Sequence, residues 1–166
     1  MKTEIPGPWQ VRFQPGGGAP EEVEMRQLTD WSQSPDPGLK YFSGRATCQT
    51  TFSFDEELAK DTKVRLDLGQ VFVCAQVRLN GEDLGVLWWA PFQLEITHAL
   101  RPGANTLQIT VANLWLNRLI GDQALPPQDR VAWTTWNPFA KDTPLQRSGL
   151  LGPVCYETVT AAEARF

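Results

Sequence analysis

The sequence predicts an all-β domain made of short antiparallel strands, as in a sandwich or a barrel. Apolar and polar residues alternate in five separate segments, turn-forming residues lie between them, and no window of 12 or more residues keeps a helical period. Alternation with a period of two places the apolar side chains on one face, as a half-buried antiparallel strand requires. Many short strands separated by turns are typical of sandwiches and barrels.

The predicted elements follow one another closely along the chain. The alternating segments are residues 45–54, 63–68, 73–79, 92–97 and 107–112, and weaker strands are predicted at residues 10–13 and 154–159. Turns are expected at Gly69, at Asn80-Gly81 and at residues 101–103 because Gly, Asn and Pro favour turn conformations. Residues 55–61 are predicted to form a short helical turn. In all, we expect about eight to ten strands in two packed sheets. The strand residues expected to be buried are Val77, Leu79, Leu94, Ile96, Ile109 and Val111.

Length and charge indicate one globular domain over residues 1–166, with about six N-terminal and about eight C-terminal residues loosely attached. The formal net charge of −4 and the lack of a basic stripe argue against nucleic acid and anionic membranes as partners. No stretch approaches the length of a membrane-spanning helix, and residues 1–6 lack the apolar core of a signal peptide.

Metal and cofactor sites are not predicted. The three cysteines, Cys48, Cys74 and Cys155, show no CxxC spacing, and the single histidine, His98, cannot complete a zinc site with them. Cysteines in strand-like segments usually behave as small buried hydrophobic residues. A structural calcium ion stays open as an alternative, because backbone carbonyl ligands leave no trace in a sequence.

Catalysis by this chain alone is not expected. A glycosidase needs two carboxylates facing each other across a cleft, whereas the acidic clusters at residues 21–22, 55–57 and 82–83 fall in predicted loops and turns. A Ser-His-Asp arrangement could use only His98, and no GxSxG motif supplies a nucleophile. The sequence therefore favours a binding or structural domain over an enzyme.

The segment from Val77 to Asn113 carries a recognisable pattern of strand and turn residues. Its parts are Val-Arg-Leu-Asn80-Gly81, Leu84-Gly85, Pro91-Phe92, Ile96-Thr97, Leu100-Arg-Pro102-Gly103-Ala-Asn105-Thr-Leu107 and Val111-Ala-Asn113. This pattern resembles the sugar-binding-like β-sandwich of family 2 glycoside hydrolases. A wider set resembles the terminal sandwich of bacterial α-L-rhamnosidases: Tyr41-Phe42-Ser43-Gly44, Leu66-Asp67-Leu68-Gly69, Gly85-Val86-Leu87-Trp88, residues 113–122 and residues 148–154.

The resemblance covers nearly the whole chain and implies a galactose-binding-like jelly roll, an antiparallel two-sheet β-sandwich. In such enzymes the reaction belongs to a separate catalytic domain. The resemblance thus implies a non-catalytic, carbohydrate-binding accessory module, with plant or algal polysaccharides or oligosaccharides and a glycosidase catalytic domain as partners. The alternative is a structural buttress that supports the glycosidase and binds no sugar. A periplasmic or secreted location is also implied, although the compartment is not set by the sequence.

The tryptophans carry the strongest binding signal, because sugar rings present C–H faces that stack on indoles. Trp88 belongs to the family-like pattern and is expected to face the core. Its neighbour Trp89 should then point outward from the same strand, with Leu87 beside it. Trp133 and Trp136 lie in a long segment between strands, where binding loops commonly occur.

The segment 113–122 has two interpretations. In one, it folds onto the edge of the sandwich, Arg118 pairs with Asp122 or with backbone carbonyls, and Trp115 packs against apolar neighbours, as Trp9 and Trp31 do. In the other, polar side chains bind sugar hydroxyls beside Trp115. The complete set of candidate carbohydrate-binding residues is Trp89, Trp133, Trp136, Trp115, Asn117, Arg118 and Asp122. Exposed tryptophans beside free polar groups would favour binding, and seven buried tryptophans would favour a buttress.

Overall fold

A computed structural model describes residues 2–59 and 61–160. Within these residues the chain forms twelve strands, two short α-helices and three single 3-10 turns. The strands are β1 (Lys2–Glu4), β2 (Trp9–Phe13), β3 (Glu22–Met25), β4 (Gly44–Phe54), β5 (Thr62–Asp67), β6 (Gln70–Val71), β7 (Cys74–Leu79), β8 (Glu82–Leu87), β9 (Gln93–Glu95), β10 (Gly103–Asn113), β11 (Leu150–Gly152) and β12 (Cys155–Thr160). The helices are α1 (Pro37–Lys40) and α2 (Leu116–Asp122), and the 3-10 turns are Trp31–Gln33, Thr97–Ala99 and Pro127–Asp129.

The strands assemble into two main antiparallel sheets and one small ladder. The larger sheet has the order β3-β2-β4-β10-β7-β8, the smaller has the order β1-β12-β5-β9, and β11 pairs with β6 alone. The central pair β4 and β10 matches eleven residues in uninterrupted register, from Gly44 opposite Asn113 to Phe54 opposite Gly103. The arrangement is an all-β sandwich, as the sequence predicts.

The core forms where the inner faces of the sheets meet. Every second residue of β4 and β10 is buried, and the same alternation holds on β7. Of the six residues expected to be buried, five are fully enclosed: Val77, Leu79, Ile96, Ile109 and Val111. Leu94 is the exception, because it lies on the short edge strand β9 and packs only partly against the core.

Several short elements differ from the expectation. Over residues 2–59 and 61–160 twelve strands form rather than eight to ten, because β1, β6 and β11 have only two or three residues each and are too short to show alternation. The prediction of a helical turn over residues 55–61 is wrong for the described residues, since residues 55–59 follow β4 without regular structure.

The N-terminal residues are also more firmly held than expected. Strand β1 pairs with β12, and the backbone N–H of Ile5 donates to the carbonyl of Val154 at 2.8 Å. The side chain of Ile5 is buried in the core. At the other end, Val159 and Thr160 belong to β12, and the remaining residues expected to be loose, 161–166, lie outside the described residues.

The family-like turn residues have a structural role. Asn80 adopts a positive φ of 54° in the turn between β7 and β8, and its side-chain amide donates to the Asn105 side chain and to the Ala99 carbonyl, both at 2.8 Å. Asn105 is fully buried, donates to the carbonyls of Arg101 and Gly103, and accepts from the backbone N–H of Arg101. The two amides therefore join two turns at one end of the sandwich, away from the exposed tryptophans described next.

Candidate functional site

Five of the seven tryptophans are exposed. Trp9 and Trp31 lie in the core, as expected, with exposed fractions of 2% and 1%. The exposed tryptophans are Trp88 (64%), Trp89 (76%), Trp115 (65%), Trp133 (80%) and Trp136 (74%). Burying a tryptophan is strongly favourable, so five indoles left in solvent indicate a surface that serves a purpose beyond folding.

Two expectations are wrong: that Trp88 faces the core, and that Trp88 and Trp89 belong to the same strand. Strand β8 ends at Leu87, so both tryptophans lie in the turn that follows it, and Trp88 is exposed rather than buried. The register of β7 and β8 slips at Leu84, because Val77 is opposite Gly85 while Arg78 is opposite Asp83. One extra residue reverses the faces of the residues after it.

The slip also changes the neighbours of Trp89. Leu84 and Leu87 both pack against the core, whereas Val86 is 41% exposed. Leu87 therefore does not lie beside Trp89 on an outward apolar surface, in contrast to what unbroken alternation predicts. The Trp115 side chain is likewise exposed, which corrects the expectation that it packs against apolar neighbours as Trp9 and Trp31 do.

Exposed apolar residues lie at the edge of the larger sheet where β8 and β10 end and β7 begins. Leu87 of β8 and Val111 of β10 are both opposite Ala75 of β7, so the chain leaves β8 and β10 at the same end of the sheet. These exits are two strand spacings apart, about 10 Å. We call the exposed residues here the sheet-end patch: Val73, Trp88, Trp89, Leu114 and Trp115.

Helix α2 follows directly and buries the polar residues of the segment 113–122. Asn117, Arg118 and Asp122 are 4%, 6% and 3% exposed. Arg118 Nε lies 3.1 Å from Asp122 Oδ1, one helical turn away, which confirms the expected pairing. The two atoms are not aligned for a hydrogen bond, so the attraction is mainly that of opposite charges at short range. The Tyr41 ring covers the guanidinium, with its centroid 5.7 Å from Arg118 Cζ.

These buried polar groups hold the long segment 123–149 against α2. The Asn117 side chain donates to the Gln146 carbonyl at 2.6 Å and accepts from the Gln146 backbone N–H at 2.9 Å. Asp122 Oδ2 accepts from the backbone N–H of Ala132 at 2.8 Å. The side chain of Asn137 donates to the Leu119 carbonyl at 2.9 Å. The polar side chains thus anchor a loop that has no regular structure of its own from residue 130 to residue 149.

The anchored loop and α2 border an open cleft of about 590 Å³, which we call the tryptophan cavity. Trp133 and Trp136 form part of its lining, together with polar and small side chains. Its other lining residues are Leu119, Asp122, Gln123, Pro127, Arg130, Val131, Ala132, Thr134, Thr135 and Asn137. The volume falls in the range typical of sites for small ligands.

Local hydrogen bonds hold the loop around Trp133 and Trp136 in shape. Thr134 Oγ1 donates to the Trp136 carbonyl at 2.9 Å, and Asn137 Oδ1 accepts from the backbone N–H of Phe139 at 3.0 Å. Arg130 Nε donates to the Leu125 carbonyl at 3.2 Å. A loop held in this way loses less conformational entropy when a ligand binds.

Only some of the candidate carbohydrate-binding residues lie near one another in the structure. Trp133, Trp136 and Asp122 line the tryptophan cavity, although Asp122 is buried and paired. Asn117 borders a different cavity of about 130 Å³, and Trp89 and Trp115 belong to the sheet-end patch. Five polar lining residues were not predicted from the sequence: Gln123, Arg130, Thr134, Thr135 and Asn137. The sequence feature that could have identified them is their position near Trp133 and Trp136, in a long segment between strands.

Burial disfavours the thiolate form of two of the three cysteines. All three are unpaired, and burial raises the pKa of the Cys48 thiol to about 12. Burial also raises the pKa of Cys155. In the part of the chain that the structure describes, no group of three His, Cys, Asp or Glu side chains could hold a metal ion. No helix in that part is long and apolar enough to cross a membrane.

Comparison with known proteins gives consistent results. Residues 35–143 match the family described as "Glycosyl hydrolase 2 galactose-binding domain-like". A protein of Formosa agariphila named "Putative beta-glucuronidase" is 38% identical over 174 aligned positions, which cover 90% of this chain and 15% of that protein.

Solved structures agree with this result. A rhamnosidase from Novosphingobium sp. PP1Y superposes with a TM-score of 0.88 and 42% identity over 96% of this chain. A β-D-glucuronidase from Dictyoglomus thermophilum, at 20% identity, shares the fold with a TM-score of 0.57 over 68% of this chain. The chain spans 15% of the rhamnosidase and 20% of that glucuronidase.

Proposed function

The chain belongs to the galactose-binding-like domains of family 2 glycosyl hydrolases, and from that premise we propose that it is a carbohydrate-binding accessory module of a larger glycoside hydrolase. The module binds sugar in the tryptophan cavity and leaves the reaction to another part of the enzyme. Each relative described above is several times longer than this chain, which leaves ample room for a catalytic domain.

The single observation that carries this proposal is the pairing of two exposed indoles with polar groups in one cavity. Trp133 and Trp136 offer large apolar faces on which the C–H face of a sugar ring can stack. Arg130, Gln123 and Thr135 line the same space and can hydrogen-bond to sugar hydroxyls. Stacking on one or two rings supports weak affinity, on the order of 10 µM to 1 mM.

The composition of the cavity argues against hydrolysis at this position. Hydrolysis of a glycosidic bond normally uses two carboxyl groups on either side of the bond. Among the described residues, Asp122 is the one carboxylate in the lining, and it is buried against Arg118. We therefore expect the isolated chain to leave aryl rhamnosides, galactosides and glucuronides intact.

Affinity gel electrophoresis tests the proposal. The parent chain should be retarded by at least one plant or algal polysaccharide cast into the gel. Trp133→Ala and Trp136→Ala should each remove most of that retardation, because each deletes a stacking surface. Their melting temperatures should stay close to that of the parent, since both side chains are more than 70% exposed.

Trp89→Ala is the matched control, because it deletes an equally exposed indole outside the tryptophan cavity. It should keep the retardation of the parent. Loss of retardation in Trp89→Ala alone would contradict the assignment of the cavity, and no retardation in any polysaccharide would contradict carbohydrate binding by the module.

A second candidate function is mechanical support of the catalytic region, and the sheet-end patch favours it. Its three tryptophans, Leu114 and Val73 are exposed at the same end of the larger sheet, and none of them lines the tryptophan cavity. Large apolar side chains left exposed on one side of a domain often mark an interface. In this second role, a neighbouring domain of the longer enzyme covers the patch, and the isolated chain binds no polysaccharide.

A further inference from the structure

The outer face of the six-stranded sheet forms a shallow groove of about 540 Å³. This face is opposite the core and separate from the tryptophan cavity, with which it shares no lining residue. Three arginines lie along it, Arg12 on β2, Arg45 on β4 and Arg78 on β7. We call this surface the arginine groove.

Strand register sets hydrogen-bonding side chains in rows across the groove. In one row Arg12 is opposite Thr47, Thr47 is opposite Thr110, and Thr110 is opposite Gln76. The two threonine hydroxyls are hydrogen-bonded to each other at 2.9 Å. Such cross-strand pairing holds the side chains in place before any ligand arrives.

A second row runs parallel to the first. Gln49 is opposite Gln108, and Gln108 is opposite Arg78. The Gln108 side chain donates to Gln49 Oε1 at 2.8 Å, which leaves the remaining donors and acceptors of both amides for a ligand. The groove therefore presents amides and hydroxyls between its arginines.

Three arginines line the groove, and two of them pair with carboxylates at its border. The chain has a formal net charge of −4, whereas no carboxylate is among the residues lining this groove. Arg12 and Arg78 contact Glu22 and Asp83 at 3.4 Å and 3.2 Å, and these pairs are solvent-exposed and weak. The exposed guanidinium of Arg45 forms no hydrogen bond or ion pair with the residues that the structure describes.

We propose that the arginine groove binds an acidic oligosaccharide, whose carboxylate or sulfate groups contact the arginines and whose hydroxyls contact the amides and threonines between them. The proposal stands independently of sugar binding in the tryptophan cavity. Arg12 and Arg78 are three strand spacings apart, about 14 Å. An extended chain with several anionic groups fits that separation, and a single small anion does not.

The lining of the groove favours a saccharide over a protein surface. Protein interfaces are centred on buried apolar and aromatic side chains, and none of the exposed large hydrophobic residues lines this groove. Arginine matches carboxylate and sulfate oxygens with paired donors, which fits repeated anionic groups on a flexible polar chain.

Isothermal titration of the full chain with three hexasaccharide-length probes tests the proposal. The probes are an oligogalacturonate, a chondroitin sulfate fragment and neutral maltohexaose. We expect at least one acidic probe to bind, with affinity that falls as salt rises, and maltohexaose not to bind at this site. Arg45→Gln and Arg78→Gln should each weaken binding by about fivefold or more.

Two control variants distinguish binding in the arginine groove from binding elsewhere on the chain. Arg101→Gln removes the same charge from an exposed position outside the groove and should leave affinity for the acidic probe unchanged. Trp136→Ala should also leave it unchanged, so failure of the tryptophan cavity and failure of this groove are distinguishable. Binding of the oligogalacturonate would show that carboxylates suffice. Binding of the chondroitin fragment alone, which carries both carboxylate and sulfate groups, would show that the carboxylates of oligogalacturonate do not suffice.

Three results would overturn the proposal. One is that neither acidic probe binds. Another is that affinity is the same in Arg45→Gln, Arg78→Gln and the parent. The third is self-association of the chain that Arg45→Gln abolishes while no probe binds, which would make the groove a protein interface.

Discussion

Replacing Arg118 with alanine is expected to lower the free energy of unfolding by about 2 to 4 kcal/mol. The guanidinium is buried, and its removal leaves the Asp122 carboxylate without its cation in a dry environment. The Tyr41 ring also loses the group packed over it. Urea unfolding followed by fluorescence measures the change, with Arg12→Ala as control because Arg12 forms an exposed pair that should contribute under about 1 kcal/mol.

A second variant separates loss of pairing from loss of packing. Adding Asp122→Asn to Arg118→Ala removes the stranded charge, so the double variant should be more stable than Arg118→Ala alone. A double variant less stable than Arg118→Ala would contradict the explanation by an unpaired buried carboxylate. If Arg118→Ala melts like the parent and loses polysaccharide binding, the guanidinium contacts sugar directly.

Replacing Trp31 with alanine is expected to cost about 3 to 5 kcal/mol. Its ring is 1% exposed and makes an edge-on contact with Phe13, with centroids 5.1 Å apart. Gly149 packs so closely on the indole that a Cβ atom there would lie 2.5 Å from the ring. The cavity left by alanine would therefore be bordered by backbone as well as side chains and could not collapse fully.

Trp136→Ala is the matched comparison for Trp31→Ala, since it removes the same side chain from a position that is 74% exposed. Its free energy of unfolding should change by less than about 0.5 kcal/mol. Equal destabilisation of the two variants would show that Trp136 packs as a core residue, and would remove the basis for a sugar platform at that position.

The fold was predictable because alternation reports burial directly. Cys48, Val77 and Ile109 lie on the inner face as the period of two requires, and the central register of β4 and β10 is unbroken. The pattern fails on β8, where the slip at Leu84 inserts one residue into the pairing. A bulge depends on how two strands meet, so the alternation of one strand could not reveal it.

The candidate site was predictable only in part, for a related reason. Trp133 and Trp136 stood out by residue type and by their place in a long connection. The contacts that shape their cavity, such as the Ala132 N–H on Asp122, join side chains to the backbone of a distant irregular segment. Backbone groups carry no sequence signal. Residue types therefore could not show which candidate residues lie near one another, nor that Asp122 anchors the loop.

Sugar binding in the tryptophan cavity is tested most directly by NMR. The indole N–H signals of the seven tryptophans are followed while an oligosaccharide fragment of the polysaccharide that retards the chain in the gel is added. Stacking changes the magnetic environment of the rings it covers and leaves distant ones unchanged. We predict that the signals of Trp133 and Trp136 shift in a saturable way, while those of buried Trp9 and Trp31 stay in place. Saturable shifts confined to Trp88, Trp89 and Trp115, or no shift with any oligosaccharide, would contradict binding in this cavity.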